Sequence, residues 1–384
     1  MKSITDILPE VTELRHYLHQ HPELGREEFH TAETIRKKLS GIGITPLPPF
    51  IGTDVVAVIE GGKGPGKNVT LRADIDALAI EEKTGLPYAS VNPGKMHACG
   101  HDGHSAMLFG AAMLLNERRN EFAGTVRFIW QPGEENIHLG KDLVAAGALE
   151  NPSADWVAAI HGMPKLPLGQ LGVRTGASEG SCIHFSITVH GQGGHSSRPQ
   201  RAIDPVVCAA ALVLELQTIV SRRIDPLESA VLSVCTIHGG TLGNIIPNEV
   251  TLTGTARSFS DRNDMILKQG IQDMAKAVCS AHRTSCEVTF DSHYPVCYNT
   301  PAATDLARRV IAEHIGKEFL FEREQPSMGA DDFAFYTQKH EGTYIKLGLG
   351  DISNIHTDTF DFPDAALKNG IEFFTRFALS GLQA

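Results

Sequence analysis

The 384-residue chain is expected to be an α/β protein carrying an inserted α+β domain. Three observations predict this. Short β-rich runs alternate with helical periodicity up to about residue 180, as strands and covering helices do in an α/β layer. The pattern then changes to strands alternating in period two, HFSITVH at 184–190 and a second run at 250–258, beside two long helices at 202–221 and 262–282. After about residue 295 the α/β style returns. The expected division is therefore a discontinuous domain, 1–181 and 295–384, around an inserted one, 182–294.

Taken in order, residues 4–19 have helical spacing, and 31–40 form a second helix stopped by Gly41. Residues 54–60 and 69–74 are short strands joined by GGKGPGK, which reads as a hairpin turn. Residues 105–119 place Ala, Met and Leu at 3.6-residue spacing. A strand at 125–130, a helix at 139–146 and a strand at 156–160 complete the first α/β stretch. Helices are expected again at 301–315 and 364–379, and no internal repeat is visible.

Hydrophobic residues at 42% and charged residues at 21% exclude wholesale disorder and collagen-like repeats. The 34 Lys and Arg against 45 Asp and Glu give a net charge of −11, which argues against nucleic acid and anionic membrane as partners. No apolar run approaches the roughly 18 residues of a membrane span, and the N-terminus lacks an apolar signal core. Seven cysteines form no C-x-x-C pair, so a reducing, cytoplasmic location is expected. The 18 histidines cluster, four between His16 and His30 and three between His97 and His104. Such clusters invite a metal or acid–base reading, although solvated surface histidines account for most of them.

Two motifs fail on context. Residues 61–68, GGKGPGKN, end in Asn where a P-loop needs Ser or Thr, and no helix follows. Gly176-Ala-Ser178-Glu-Gly180 matches the nucleophile elbow, but an alternating strand follows it where a helix is required.

The densest chemistry is Met96-His-Ala-Cys-Gly-His-Asp-Gly-His104. Cys99 and His101 can face one ion from a tight loop because Gly100 relaxes the backbone between them. The helix that follows is expected to lower the thiol pKa through its N-terminal dipole. Glu134 and Glu135 of QPGEE leave a strand at the edge where α/β proteins gather ligands; one carboxylate can hold metal while its neighbour carries a proton. His161 follows another apolar strand, and His356 lies in a distant polar loop. In isolation each can be a surface group; together they make a two-metal hydrolase a hypothesis.

Nine ordered motifs then carry a resemblance that runs end to end: RHYLHQHPELGREE (15–28), LRADIDAL (71–78), MHACGHDGH (96–104), QPGEE (131–135), His161, GQGGHSSRP (191–199), GNIIPNEV (243–250), GADDF (329–333) and IHTD (355–358). The chain resembles the N-acyl-amino-acid amidohydrolases, the hippurate hydrolase, aminoacylase and indole-acetyl-amino-acid hydrolase branch of the carboxypeptidase G and aminoacylase metallopeptidases. The resemblance implies a discontinuous metallopeptidase domain with a mixed sheet flanked by helices, and an inserted lid of the dimerisation type. It implies two divalent metal ions (Zn, Mn, Co or Ni) held by Cys99, His101, Glu135, His161 and His356, with Glu134 as general base. His195 would polarise the scissile carbonyl, in its own or a partner's site, and Asn244 and Arg257 would hold the substrate carboxylate. Departures from the family pattern, Arg72-Ala-Asp74 for H-x-D, Gly133 and Asp331, bear on substrate identity.

The activity implied is hydrolysis of an N-acyl amino acid to a carboxylic acid and a free amino acid, by a cytoplasmic enzyme expected to assemble as a homodimer or higher homo-oligomer. A dipeptidase or carboxypeptidase with the same site is the alternative. A catalytically inactive ligand sensor and a hydrolase with Cys99 as nucleophile stand further off.

Overall fold

Ser3 starts the first helix by a reciprocal cap: its hydroxyl accepts the backbone N–H of Asp6, and the Asp6 carboxylate accepts that of Ser3. The helix, α1 (Ile4–Gln20), buries Ile7, Val11, Leu14 and Leu18 at helical spacing, and Arg15 and His19 share that buried stripe. The structure, a computed structural model, describes residues 2–384.

The chain divides into two compact units. The first comprises residues 1–178, 298–325 and 331–384; the second comprises 179–297 and 326–330.

The first unit is built on a seven-stranded mixed sheet flanked by helices. Its leading strands are β1 (Val55–Glu60), β2 (Asn68–Asp74), β3 (Thr125–Gln131), β4 (Trp156–Met163) and β5 (Leu171–Val173). The spatial order is β1, β3, β2, β4, Glu341–Gly348, β5, Leu320–Glu322. Strand β3 lies between β1 and β2, antiparallel to β1 and parallel to β2. The expected hairpin across GGKGPGK therefore does not form. A turn signal marks only a reversal, and cannot tell adjacent strands from a pair split by a later one.

Strands β2, β3, β4 and Glu341–Gly348 run parallel, so their C-terminal ends share one edge. The side chains of Asp74, Gln131 and His161 all arise there. His161 lies within β4, one residue beyond the strand expected from sequence. Helix α2 (Phe29–Gly41) packs on β1, and α3 (His101–Glu117) lies against α1, β2 and the helix Asp364–Gly381. From His101 to Leu115 every residue of α3 is buried, so its apolar surface runs all round. It begins four residues before the apolar periodicity does, because the polar first turn HDGH is helical as well.

The second unit is a four-stranded antiparallel sheet in the order Ser285–Tyr294, Cys182–His190, Glu249–Ser258, Ala230–His238. Ile183, Phe185, Ile187 and Val189 alternate onto the face covered by the helices Pro205–Arg223 and Asp261–Ala281. Pro205–Arg223 is long and apolar enough to cross a membrane, yet its Cys208, Leu212, Leu216 and Ile219 stripe is buried in this core.

Ser178 belongs to a short strand, Gly176–Glu179, and its hydroxyl accepts from Arg323. That is not the strand–turn–helix setting of a nucleophile elbow.

Candidate metal centre

Two glycines in the left-handed region shape the ligand loops. Gly100 (φ +89°) caps α3 and allows Cys99 and His101 to face the same space; Gly133 (φ +56°) does the same before the helical turn Glu134–Ile137. Cys99 Sγ lies 3.4 Å from His161 Nε2. His356 Nε2 lies 3.2 Å, and His101 Nε2 3.8 Å, from Glu135 Oε1. In each of the sets Cys99–His101–His161, Cys99–Glu135–His356 and His101–Glu134–Glu135, the potential ligand atoms lie within 4.8 Å of one another. The five side chains named as metal ligands from the sequence, and Glu134, all fall within these overlapping sets.

Hydrogen bonds fix which ring nitrogens are available. His101 Nδ1 donates to the Asp76 carbonyl at 2.9 Å, and His161 Nδ1 to the Gly162 carbonyl at 2.7 Å. Each leaves Nε2 facing the cluster, the arrangement that orients imidazole toward a metal. Among the described residues, His101 Nε2 is buried with no hydrogen-bond partner. His104 is different: Nδ1 contacts Asp74 at 2.7 Å and Nε2 accepts the Gly162 N–H at 2.8 Å. Both its nitrogens are used, so it supports the site without a free donor.

The electrostatics call for a positive charge. Burial, reinforced by Glu135, Glu134 and Asp74, pushes the Cys99 thiol well above its ordinary value. The expected lowering by the α3 dipole is therefore outweighed, first by burial and then by the neighbouring carboxylates. Burial pulls His101 down, but Asp74, Asp76 and Glu135 overcome it and hold the ring up at about 10. Burial, then the charge of Lys346, keeps His161 neutral. Burial, then Asp331, Glu135, Asp332 and Asp76, pushes the Glu134 carboxyl well above the usual range. One thiol, three imidazoles and paired carboxylates with an orphaned inward nitrogen fit divalent cations.

Several supporting residues carried no assigned role in the sequence. Asp76 offers its carbonyl to His101 and its carboxylate to the Glu135 N–H at 3.0 Å. Asp74 is held well below the carboxylate range: burial alone would raise it, but His101, Arg72 and His104 prevail. Asp332 accepts from Gln131 at 2.6 Å and from the Gly140 N–H at 2.8 Å, tying down the QPGEE loop. Glu28 accepts the Gly133 N–H at 2.8 Å from the other side. The usable signal was acids spaced two apart at the end of an apolar strand, Asp74 and Asp76, at the sheet edge where ligands gather.

The remaining candidates lie in the second unit. His195 and Asn244 are neighbours there: His195 pairs with Ile245 in a two-stranded ribbon, and the Asn244 carbonyl accepts the Ser196 N–H at 3.1 Å. The Ser197 N–H donates to His195 Nδ1 at 3.1 Å, which puts the ring proton on the exposed Nε2. Arg257 lies on Glu249–Ser258 and donates to the Met328 carbonyl at 2.7 Å.

A cluster of Cys, His and Glu at the C-terminal edge of a mixed α/β sheet defines a metallohydrolase type of site. The profile of Peptidase family M20/M25/M40 matches residues 70–380, and the chain belongs to that family. It is 35% identical over 371 residues to an N-acetylcysteine deacetylase of Bacillus subtilis, covering 96% of each chain. It is 36% identical over 374 residues to IAA-amino acid hydrolase ILR1-like 4 of Arabidopsis thaliana, covering 95% of this chain and 84% of that one. Among solved structures, a dinuclear metal binding peptidase of the M20 family from Bacillus subtilis superposes with a TM-score of 0.86 at 31% identity, covering 99% of each chain. These findings agree with the amidohydrolase branch to which the nine motifs point.

Proposed function

We propose that the protein is a metal-dependent amidohydrolase that cleaves N-acyl amino acids to a carboxylic acid and a free amino acid. The observation that carries the reading is the convergence of Cys99, His101, Glu135, His161 and His356 around an unpartnered His101 Nε2, with Glu134 beside them. Two divalent cations held by those five residues would supply Lewis-acid polarisation of the amide carbonyl. Glu134, given a high proton affinity by burial and four neighbouring carboxylates, takes a proton from the attacking water and passes it to the leaving amine. His195 donates from Nε2 to the carbonyl oxygen as it becomes anionic, and Asn244 and Arg257 bind the substrate carboxylate. The relatives named N-acetylcysteine deacetylase and IAA-amino acid hydrolase support an acyl group on the substrate amine.

We further propose a cytoplasmic homodimer. Seven free cysteines support the reducing compartment. The edge strand Ala230–His238 exposes Val231 and Ile237, and Leu214 and Leu227 are exposed nearby in sequence, a surface suited to a second copy.

The test is a hydrolysis panel of N-acetyl, benzoyl, long-acyl and indole-acetyl amino acids beside free dipeptides, with EDTA and with Zn²⁺, Mn²⁺, Co²⁺ or Ni²⁺ added back. Acyl amino acids should be cleaved, with activity lost to EDTA and restored by metal. Activity that survives chelation would indicate a thiol hydrolase at Cys99, and preference for dipeptides would indicate the peptidase alternative.

A further inference from the structure

We infer that Arg15 is a positioning residue that straps the His356 segment onto the first turn of α3, and so sets the affinity of one of the two metal positions. The inference rests on the metal reading above.

The Arg15 side chain is fully buried, and its guanidinium reaches three carboxylates from separate parts of the chain. Nε donates to Asp102 at 2.9 Å, Nη1 to Asp364 at 3.1 Å and Nη2 to Asp361. Nη1 also meets the Tyr88 hydroxyl, which donates in turn to Asp361 at 3.1 Å. Asp102 directly follows the ligand candidate His101. Asp361 and Asp364 end the segment that His356 begins. Without the guanidinium these three carboxylates would repel one another; a Lys ammonium could not match the planar fork that meets them in different directions.

The strap has its own seams. The His356 N–H donates to the Ala98 carbonyl at 2.7 Å. Phe362 lies so close to α3 that a Cβ on Gly100 or Gly103 would meet its ring at 3.0 and 2.6 Å. His356 itself has φ +62°, a conformation a non-glycine residue keeps only when its surroundings enforce it. Its ring is half exposed, so packing does not hold the imidazole, and its place depends on the backbone. The rings of His101 and His161 are buried and pinned by carbonyls, His101 by that of Asp76 on another segment and His161 by that of Gly162 in its own strand. The two potential metal groups that share Cys99 therefore differ: Cys99–His101–His161 is fixed internally, whereas Cys99–Glu135–His356 depends on the strap.

The experiment titrates metal-stripped enzyme with Zn²⁺ in a calorimeter or against a chromophoric chelator, for wild type, Arg15→Lys and Asp361→Asn. Asp361 is partly exposed, so its variant keeps the buried Arg15–Asp102 pair and remains informative if Arg15→Lys does not fold. The expected result is two binding events in wild type, with one weakened about 10–100-fold in the variants and the other shifted less than about threefold. Turnover of an N-acyl amino acid should recover as Zn²⁺ is raised, which a general loss of structure would not allow. Unchanged affinities, or equal weakening of both events, in folded variants would overturn the inference alone. Wild-type enzyme that binds no divalent metal would overturn the metal reading and the inference with it.

Discussion

Cys99 Sγ and His161 Nε2 face each other at 3.4 Å across the C-terminal edge of the sheet, the thiol delivered by the loop before α3 and the imidazole by β4. The His161 proton is committed to the Gly162 carbonyl, so the nitrogen turned toward sulfur is a lone pair. Two such donors at this separation suit a shared soft or borderline cation.

Replacing Cys99 by Ala removes a donor common to two of the potential metal groups, Cys99–His101–His161 and Cys99–Glu135–His356. Metal affinity should fall by more than the roughly 10–100-fold expected for an outer-shell partner, measured by competition with a chelator. The thiol is also buried, so the same variant reports stability: with metal removed, its unfolding midpoint should change little.

Gly103 lies beneath Phe362, and a Cβ there would meet three ring atoms at 2.6–2.7 Å. Gly103→Ala should destabilise the chain by about 1–3 kcal/mol in urea unfolding despite the better helix propensity of Ala, because a fully buried ring must move. Unchanged stability would mean that the strap over α3 yields freely.

The buried His19 gives stability a pH dependence. Burial lowers its pKa, but hydrogen bonds to Asp102 and Glu82 overcome this and raise it from 6.5 to about 9. The folded state then holds a proton that the unfolded chain releases between those values. Its contribution, roughly 3 kcal/mol at most, is full below pH 6.5 and lost as pH rises through 9. Thermal unfolding across pH 6–10 should show this decline, and His19→Gln should flatten it.

If the Ala230–His238 edge joins two copies, Ile237→Lys should shift the protein from dimer to monomer in analytical ultracentrifugation. A wild-type monomer at micromolar concentration would remove the dimer from the account.

Much of the site was legible because its ligands carry scarce chemistry in short motifs: Cys99 and His101 around one glycine, Glu134 and Glu135 at a strand end. The helices were legible from their periodicity, as in α1. Strand adjacency was not, since nothing local in Asp54 to Asp74 announces that β3 will separate β1 from β2. The charge environment was equally hidden. A helix N-terminus predicted a lowered Cys99 thiol, while the burial that raises it, and the carboxylates of residues 135, 134 and 74 that add to it, arise only on folding. The N-terminal histidine cluster showed no chemistry in sequence. Folded, His19 and Arg15 grip Asp102 beside His101, and Glu28 holds Gly133 beside Glu134.

The central claim is that Glu134 moves the proton in a metal-dependent amide hydrolysis. The most direct measurement is turnover of the best N-acyl amino acid substrate by Glu134→Gln, together with its bound-metal content. The account predicts a loss of about 10²–10⁴-fold or more in kcat with metal content retained. Activity near that of wild type at full metal occupancy would contradict it.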